Sequence, residues 1–502
     1  MNSTHQSTLW TYPLSSGVLN DASSLIVSFY LSLFIVVLGV LLKPDDMLHW
    51  FLLPVTLCGV LIGIDAVDWL RGRMDVMDPV GWVGLFGVHF FFIAPLLVVL
   101  WDRQMNYLPA MPDWRPWLGR MGILNLAGLL LYRVARGWIR IPANHSSRKI
   151  RVIQPRIFVI ILYFALCITF GLQMLVYIQS GGVSGYIARY ESRGDEIGFQ
   201  GLGVLFTFSE SFPFLLFIGI AIHIRQHESR RTWFHILIIL LLFFVLRLFF
   251  GGLRGSRSNT IYAMVWAVGV IHLWIRPVPK RFLAAGAIVA VAFLYIMGFY
   301  KALGSDFFKI FEKGTDLAQL EKQTNRTFEG AIIGDLSRAD VQAYMLRNLT
   351  EKWEDFPYAH GRTYLAGYTV IIPRAIWPSK PPHKVMEGTQ ALSGPGTYAP
   401  GVREASRVYG LMGEAMLNFG VRAAPLSFIS LGLLVGMVRR WYYQLHSDDI
   451  FRLWIPFLIL FCVTYIVSDS DNNAVSLVMR PLMPAIILWF GSRSTIIKGA
   501  QS

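Results

Sequence analysis

Long apolar segments recur along this chain, and they limit what it can fold into more than any other feature does. A helix needs about 20 mostly apolar residues to cross roughly 30 Å of hydrocarbon. A segment in lipid must be helical, because lipid offers the backbone no hydrogen-bond partners. Eleven segments fit, near 24–42, 47–64, 80–100, 157–178, 202–224, 234–253, 260–275, 282–300, 411–438, 450–467 and 474–491. The sequence therefore predicts an all-α polytopic membrane protein with about 11 to 12 transmembrane helices.

A twelfth candidate segment, 118–132, is shorter than the others. Arg120 and Asn125 interrupt its apolar run. A charged side chain at the centre of a bilayer is costly, so we interpret this segment as interfacial or re-entrant.

Composition supports the membrane interpretation. Only 15% of the 502 residues are charged, whereas soluble domains average about 25%. This excludes a disordered chain and argues against an ordinary soluble enzyme. The formal net charge of +14 is explained by basic loops that orient a membrane protein, so we do not expect nucleic acid as a partner.

Basic residues in short loops predict the orientation. The stretch 133–156 contains seven Lys and Arg residues and no acid, which is typical of a cytoplasmic loop. Counting onward places 225–233, 276–281, 439–449 and the C-terminal tail inside. The segments 179–201, 254–259, 301–410 and 468–473 then lie outside. We expect N-terminal spans with a basic loop (1–156), central spans (157–300), a large periplasmic loop with short helices (301–410) and C-terminal spans (411–502).

The external turn after the sixth predicted span carries cations that topology does not explain. Arg254 and Arg257 lie in Gly251-Gly-Leu-Arg-Gly-Ser-Arg-Ser258, where glycines let the backbone approach a ligand. The next span begins here, so its helix N-terminus adds partial positive charge. These features predict a phosphate-type anion site. The alternative is two arginines that contact lipid headgroups.

Two further stretches of the predicted external side contain candidate site residues. In Ile371-Ile-Pro-Arg-Ala-Ile-Trp-Pro-Ser-Lys-Pro-Pro382, prolines fix an extended path that presents Arg374 and Lys380. Trp377 is positioned either to stack on a sugar ring or to anchor the chain at the membrane interface.

In the stretch 401–420, a helix from about residue 404 places Arg407, Glu414 and Asn418 near one face. Glu414 would lie at the mouth of a span, where an ionisable residue points to function. Alternatively, Glu414 pairs with Arg407 or Arg403 to fix the loop.

Arg480 lies inside the last predicted span, and its depth favours a buried anionic partner. Three other features carry weaker signals. Asp335 is a possible base, or a plain helix-surface residue. Arg189 adds an external cation. Asp469-Ser-Asp471 resembles a metal-binding acidic triplet, but we interpret it as a solvated external turn and predict no metal site.

These motifs, in this order, resemble those of Wzy-type O-antigen and oligosaccharide repeat-unit polymerases. The similarity rests on Gly-Gly-Leu-Arg-Gly-Ser-Arg-Ser, Ile-Pro-Arg-Ala-Ile-Trp-Pro-Ser-Lys-Pro, Gly-Glu-Ala-Met-Leu-Asn-Phe-Gly and the terminal Arg480 with its following prolines. It covers roughly 180–490. The resemblance implies a GT-C-type glycosyltransferase of the bacterial inner membrane. Such enzymes transfer glycan from polyprenyl pyrophosphate to an incoming lipid-linked unit on the periplasmic face.

The expected chemistry gives each candidate residue a role. Pyrophosphate leaves as the glycosidic bond breaks, and preorganised guanidiniums suit its growing charge. We assign Arg254, Arg257, Arg374 and Arg407 to this task, with Arg480 and Lys380 in support. Glu414 is the first candidate for the base and Asp335 the second. Arg189, Trp377 and Asn418 are candidate contacts to glycan or acceptor.

We expect no cofactor and no metal. The expected partners are polyprenyl-pyrophosphate-linked oligosaccharide and membrane lipids, and the resemblance implies a flippase and a chain-length regulator. Three alternatives remain: a polysaccharide ligase that uses the same donor, a flippase or exporter of lipid-linked oligosaccharide, and a structural subunit whose arginines bind anionic lipid. A transporter should place its charges at the bilayer midplane, within discontinuous helices.

Overall fold

The structure is a computed structural model, and it describes most of the chain. The described residues are 22–103, 109–141, 148–191, 203–254, 257–303, 310, 317–324, 327–370, 372, 376–382, 384–405 and 407–497. Every structural statement below concerns these residues.

Within them, nine helices are long and apolar enough to cross a membrane. They are Ala22–Leu42, Leu52–Leu70, Pro79–Leu100, Arg115–Trp138, Pro155–Gln179, Leu205–Gln226, Arg257–Ile275, Lys280–Tyr300 and Ser470–Phe490. Two shorter apolar helices are Trp233–Phe249 and Ile455–Val467. This set fits the predicted all-α, multi-pass membrane protein.

Further short helices lie outside these apolar segments. They are Pro44–Met47, Gly182–Glu191, Leu317–Thr324, Ala339–Arg347, Arg362–Tyr368, Val385–Ser393, Gly410–Phe419 and Ser427–Gln444. Four of them fall in 301–410, as the sequence predicted for that segment. Within that segment, the run Asp335–Leu349 contains the helix Ala339–Arg347.

The chain divides into two compact units, each assembled from separate stretches. Unit 1 contains 1–142, 332–444 and 461–476, and unit 2 contains 143–331, 445–460 and 477–502. The helix Ile455–Val467 and the helical stretch Ser470–Phe490 each contribute residues to both units.

Small residues let the helices of unit 1 pack closely. A Cβ on Gly432 of helix Ser427–Gln444 would lie 2.5 Å from the carbonyl oxygen of Tyr132, so the backbones nearly touch there. A Cβ on Gly84 would lie 2.7 Å from the backbone nitrogen of Ala66. Membrane helices associate through such small residues, because lipid gives them no hydrophobic driving force.

The interpretation of 118–132 as interfacial is wrong. The segment belongs to one continuous 24-residue helix, Arg115–Trp138. Asn125 is buried, and Arg120 stacks on Trp117 with its guanidinium carbon 4.3 Å from the ring centroid. Protein contacts bury Asn125, while the half-exposed Arg120 is held against Trp117, and neither residue interrupts the helix.

Two buried arginines near the end of this helix share one carboxylate. Asp65 of helix Leu52–Leu70 is 2.6 Å from Nη1 of Arg136 and 3.3 Å from Nη1 of Arg133. The Asp65 side chain is only 2% exposed. The pairing brings two apolar helices together at a charged contact.

Replacing Asp65 with Asn should strongly destabilise the protein. The change leaves two buried guanidiniums without a counter-charge, which costs about 3 to 5 kcal/mol when one partner of a buried pair is removed. Thermal unfolding of the purified protein in detergent measures the effect. Asp46→Asn is the matched control, because its ion pair with Lys43 is exposed. Equal unfolding midpoints for the two variants would contradict the prediction.

The predicted span 411–438 is also wrong as a single helix. The chain forms the helix Gly410–Phe419, turns, and begins a second helix at Ser427. Gly420 ends the first helix with φ +80°, a left-handed conformation that favours glycine. Pro425 follows in a short 3-10 turn. The residues on both sides of this break are mostly apolar, so the hydropathy of the sequence does not reveal it. The span predicted near 47–64 begins later, at Leu52.

Unit 2 is built around aromatic side chains. Trp266 lies at the centre, with ring centroids 4.9 Å from Phe214 and 5.0 Å from Phe457. Phe217 and Phe243 pack beside it. All five are buried, and aromatic pairs at such distances add stability beyond the area they bury.

Unit 2 also contains a two-stranded antiparallel ribbon that the sequence analysis did not predict. Strand Arg148–Ile153 pairs with strand Ser492–Ile497, with Ile150 opposite Thr495. The ribbon joins the start of helix Pro155–Gln179 to the end of the last helix. Arg148, Lys149 and Arg151 made this stretch look like a plain basic loop.

Candidate functional site

The predicted site residues fall into both units. Unit 1 contains Asp335, Trp377, Lys380, Arg407, Glu414 and Asn418, and unit 2 contains Arg189, Arg254, Arg257 and Arg480. Arg374 lies outside the described residues. Arg189 and Arg254 lie on described helices, but their side chains are outside the described part of the chain.

Glu414 occupies the middle of a buried helix in unit 1. Residues 410–418 of helix Gly410–Phe419 are all buried, and Glu414 is 2% exposed. Its carboxylate accepts three hydrogen bonds. The backbone N–H of Ser470 donates to Oε2 at 2.6 Å, while the Ser470 hydroxyl (2.6 Å) and the Thr363 hydroxyl (2.8 Å) donate to Oε1.

Asn418 supports this arrangement from one helical turn away. Its Nδ2 donates to Oγ1 of Thr363 at 2.7 Å and to the carbonyl oxygen of Glu414 at 2.8 Å. Its Oδ1 accepts from the N–H of Gly361 at 2.9 Å. The amide is therefore engaged within the protein, and it orients the Thr363 hydroxyl toward Glu414.

The charge surroundings of Glu414 favour its neutral form. Burial raises the pKa of its carboxyl group to about 7, with a further contribution from the negative charge of Asp469, and the three hydrogen bonds oppose the rise. Among the described residues, Glu414 forms no ion pair, so the suggested pairing with Arg403 or Arg407 is not formed. A carboxyl group that titrates near neutral pH can both accept and return a proton.

Asp469 is a buried partner in the same group, not part of a solvated turn as the sequence suggested. It is fully buried and forms an ion pair with Lys384. Lys384 also reaches Asp471, at 2.9 Å. The N–H groups of Tyr409 and Gly410 donate to the Asp469 carboxylate at 2.9 and 2.6 Å. We call Thr363, Lys384, Glu414, Asp469 and Ser470 the carboxylate cluster.

These contacts explain where the helix begins. The sequence predicted a start near residue 404, but the helix begins at Gly410, and Asp469 binds the free N–H groups at that end. Gly410 has φ +73°, and a Cβ there would lie 2.8 Å from the carbonyl oxygen of Ile466. Arg407 therefore precedes the helix and does not share a helical face with Glu414.

A second glycine lets two helices of the carboxylate cluster meet. Gly367 of helix Arg362–Tyr368 packs on Ser470, where an added Cβ would lie 2.1 Å from the Ser470 hydroxyl and 2.7 Å from the backbone nitrogen of Asp471. The second contact is with backbone, which cannot rotate away.

Gly367→Ala should therefore displace Ser470 from Glu414 and destabilise the protein by about 1 to 3 kcal/mol, the usual cost of overpacking. Gly171→Ala is the matched control, because a Cβ there meets no atom within 4 Å. Unfolding midpoints of the two variants give the comparison. Equal unfolding midpoints for Gly367→Ala and Gly171→Ala would contradict this prediction.

Unit 2 contains a different charged group within its apolar helices. Arg247 of helix Trp233–Phe249 is 2% exposed, and its Nη2 is 3.1 Å from Oε2 of Glu210. Arg247 also donates to the carbonyl oxygen of Phe250 at 2.6 Å. The turn that follows depends on Gly251, where φ is +118° and a Cβ would lie 2.6 Å from the Glu210 carboxyl carbon.

Arg480 lies beside the start of helix Arg257–Val270. Its guanidinium donates to Oδ1 of Asn259 and lies 4.4 Å from the ring centroid of Tyr262. The charges of Arg247 and Glu210 both act on it electrostatically. Arg257 reaches the carbonyl oxygen of Leu294 at 3.2 Å. We call Glu210, Arg247 and Arg480 the arginine cluster, which holds two cations and one carboxylate.

Sequence analysis missed several of these residues. Arg247 and Glu210 each interrupt an apolar segment, and an ionisable residue inside a predicted span is itself a functional signal. Lys384 carried no comparable signal, because it follows the proline-rich stretch and resembles an ordinary loop cation.

The remaining predicted residues occupy varied settings in unit 1. Lys380 is buried and donates to the carbonyl oxygen of Ile372 at 3.2 Å. The Trp377 indole donates to the Ser379 hydroxyl at 3.1 Å. Asp335 ends a short π-helix near Arg338, whose guanidinium donates to the carbonyl oxygen of Gly334.

The described residues contain no group of three or more His, Cys, Asp or Glu side chains suited to hold a metal ion. Comparison with protein-family models, with curated proteins and with solved structures found no match. The carboxylate cluster can take up a proton near neutral pH, and the arginine cluster can stabilise an anion within apolar surroundings.

Proposed function

We propose that this protein polymerises lipid-linked oligosaccharide repeat units on the periplasmic face of a bacterial inner membrane. An acceptor hydroxyl of the incoming unit attacks the anomeric carbon of the growing glycan. The new C–O bond forms as the bond to polyprenyl pyrophosphate breaks, and the hydroxyl proton is transferred to a base. The products are a glycan longer by one unit and free polyprenyl pyrophosphate.

The strongest support for the proposal is the environment of the Glu414 carboxyl group. Transfer to a hydroxyl needs a group that accepts a proton near neutral pH, and the pKa of this buried carboxyl lies at about 7. The hydroxyls of Thr363 and Ser470 fix the orientation of its Oε1. A fixed base loses less entropy in the transition state than a mobile one.

The arginine cluster of unit 2 has the kind of charge that the leaving group of such a reaction requires. Negative charge grows on the pyrophosphate oxygens as the glycosidic bond breaks. Arg247 and Arg480 supply the guanidinium groups of this cluster, and such groups suit the oxygens of a departing anion. In apolar surroundings such charges act more strongly than they do in water.

A flippase or exporter of lipid-linked oligosaccharide is the second candidate. One observation favours it. Arg480 lies ten residues into the 21-residue helical stretch Ser470–Phe490, so its Cα is near the middle of that apolar segment rather than at its end. Charges at such a depth are typical of transport pathways.

The glycans made by a strain lacking the gene separate these functions. A polymerase predicts that single repeat units still reach the cell surface while longer chains disappear. A ligase predicts free polymer that is not attached to its final acceptor, and a flippase predicts loss of all units from the outer face. The proposal is wrong if long chains persist at wild-type levels.

A further inference from the structure

Four arginines meet at one end of unit 2, where three loops come together. Arg225 lies in the last turn of helix Phe212–Gln226, and its guanidinium donates to the carbonyl oxygen of Ser447 (3.0 Å) and to Oδ1 of Asp448 (2.6 Å). Arg231 donates to the carbonyl oxygen of Arg225, and Arg276 donates to that of Arg231 at 3.0 Å. The basic residues of the loops 225–233, 276–281 and 439–449 predict that these loops lie on one side of the membrane. The contacts between them agree with that grouping.

The fourth arginine, Arg452, donates to the carbonyl oxygen of Leu273 at 3.3 Å, and its charge acts on Arg225. We call Arg225, Arg231, Arg276 and Arg452 the loop arginines. They are partly exposed. The arginine cluster described above does not include them.

Two of the loop arginines lie over tryptophan rings. The guanidinium carbon of Arg225 is 3.9 Å from the ring centroid of Trp274, and that of Arg276 is 4.5 Å from the ring centroid of Trp233. Trp233 and Trp274 lie at the ends of apolar helices, where indole rings are commonly found at headgroup depth. The stacking holds both cations in place at that level.

The charge of these arginines is poorly compensated. Most of their hydrogen bonds go to neutral carbonyl oxygens, and Asp448 is the carboxylate that contacts Arg225. Nε of Arg231 is buried and has no hydrogen-bond partner among the described residues. By contrast, the carboxylate of Asp65 in unit 1 forms ion pairs with two arginines.

We propose that the loop arginines form a binding site for the phosphate of an anionic phospholipid headgroup. Guanidinium groups bind phosphate oxygens through paired N–H donors, and oriented cations gain more from an anionic leaflet than freely solvated ones. The adjacent indole rings contact the upper part of the acyl chains. The site is independent of the proposed glycosyl transfer.

Lipid binding to the full-length protein tests this proposal. The delipidated protein in detergent is mixed with equal amounts of dioleoyl phosphatidylglycerol and dioleoyl phosphatidylcholine, and native mass spectrometry counts the bound lipids. Wild-type protein should bind phosphatidylglycerol at least about tenfold better than phosphatidylcholine. Arg225→Gln combined with Arg276→Gln should reduce this preference to less than about twofold.

The matched control is Arg120→Gln. Arg120 also stacks on a tryptophan, but Glu351 compensates its charge at 3.8 Å, so the lipid preference should not change. Arg225→Lys with Arg276→Lys keeps the charges and should keep most of the preference, which separates charge loss from misfolding. Excess inorganic phosphate should not displace the lipid. Unchanged preference in the double Gln variant, or displacement by phosphate alone, would overturn the proposal.

Discussion

Replacing Glu414 with Gln is expected to reduce glycan polymerisation by about 100-fold or more. The amide has nearly the same shape as the carboxyl group but cannot accept the proton of the acceptor hydroxyl, and general base catalysis contributes about 10² to 10⁴ in rate. Initial rates with purified protein and lipid-linked units measure the effect. The protein should still fold, because the hydroxyls of Ser470 and Thr363 can hydrogen-bond to the amide oxygen and only the bond from the Ser470 N–H is lost.

The carboxyl group of Glu414 also predicts how the polymerisation rate and the free energy of unfolding depend on pH. Only deprotonated Glu414 acts as a base, so the wild-type rate should rise as the pH passes about 7. Its pKa is raised in the folded protein, so between pH 4.5 and about 7 the folded state holds a proton that the unfolded state has lost. The free energy of unfolding should therefore fall across this window, by about 3 kcal/mol, and Glu414→Gln should remove that part of the pH dependence.

Glu351→Gln is the matched control for these measurements. Glu351 is a half-exposed carboxylate of unit 1, and its contacts with Arg120 and Arg347 are each 3.8 Å long. This control should keep the wild-type rate and pH profile. The role of Glu414 as base is refuted if Glu414→Gln polymerises at the wild-type rate.

Replacing Arg480 with Ala should slow transfer by about 100- to 1000-fold, which corresponds to the loss of one preorganised charge at a developing anion. The fall should appear in kcat more than in KM, because the charge on pyrophosphate grows as the bond breaks. Arg480→Lys keeps the positive charge but loses the planar fork, so it should recover part of the rate.

Arg151→Ala provides the comparison for Arg480. Arg151 also stacks on an aromatic ring of unit 2, with its guanidinium carbon 4.0 Å from the Trp489 ring centroid, but it belongs to the two-stranded ribbon. Its removal should leave the transfer rate unchanged. Normal polymerisation by Arg480→Ala at normal protein levels would refute the role of the arginine cluster.

Hydrophobic segments alone were enough to predict most of the helices. Length and apolar content decide whether a segment can cross a bilayer, and both are local properties of the sequence. The wrong predictions concern segments whose polar residues contact partners far away in the sequence. The segment 118–132 looked interrupted because of Arg120 and Asn125, but Asn125 is buried in the protein and Arg120 pairs with Glu351, which is far away in the chain.

The candidate site, too, could be predicted from the sequence only in part. Glu414 could be singled out from its position beside an apolar run, but its partners Thr363 and Ser470 lie 51 and 56 residues away. Asp469 looked like part of an exposed turn, because nothing local reveals that Lys384 and the start of helix Gly410–Phe419 surround it. The role of such a residue follows from tertiary contacts that hydrophobic patterns do not encode.

The most direct test of the central claim uses two lipid-linked repeat units and the purified protein in vesicles. One unit carries an isotopic label and the other does not, and mass spectrometry follows the products. The account predicts mixed glycans of two or more units on one lipid, with release of one polyprenyl pyrophosphate per bond formed. Recovery of both units unchanged, from protein that is folded and correctly inserted, would contradict it.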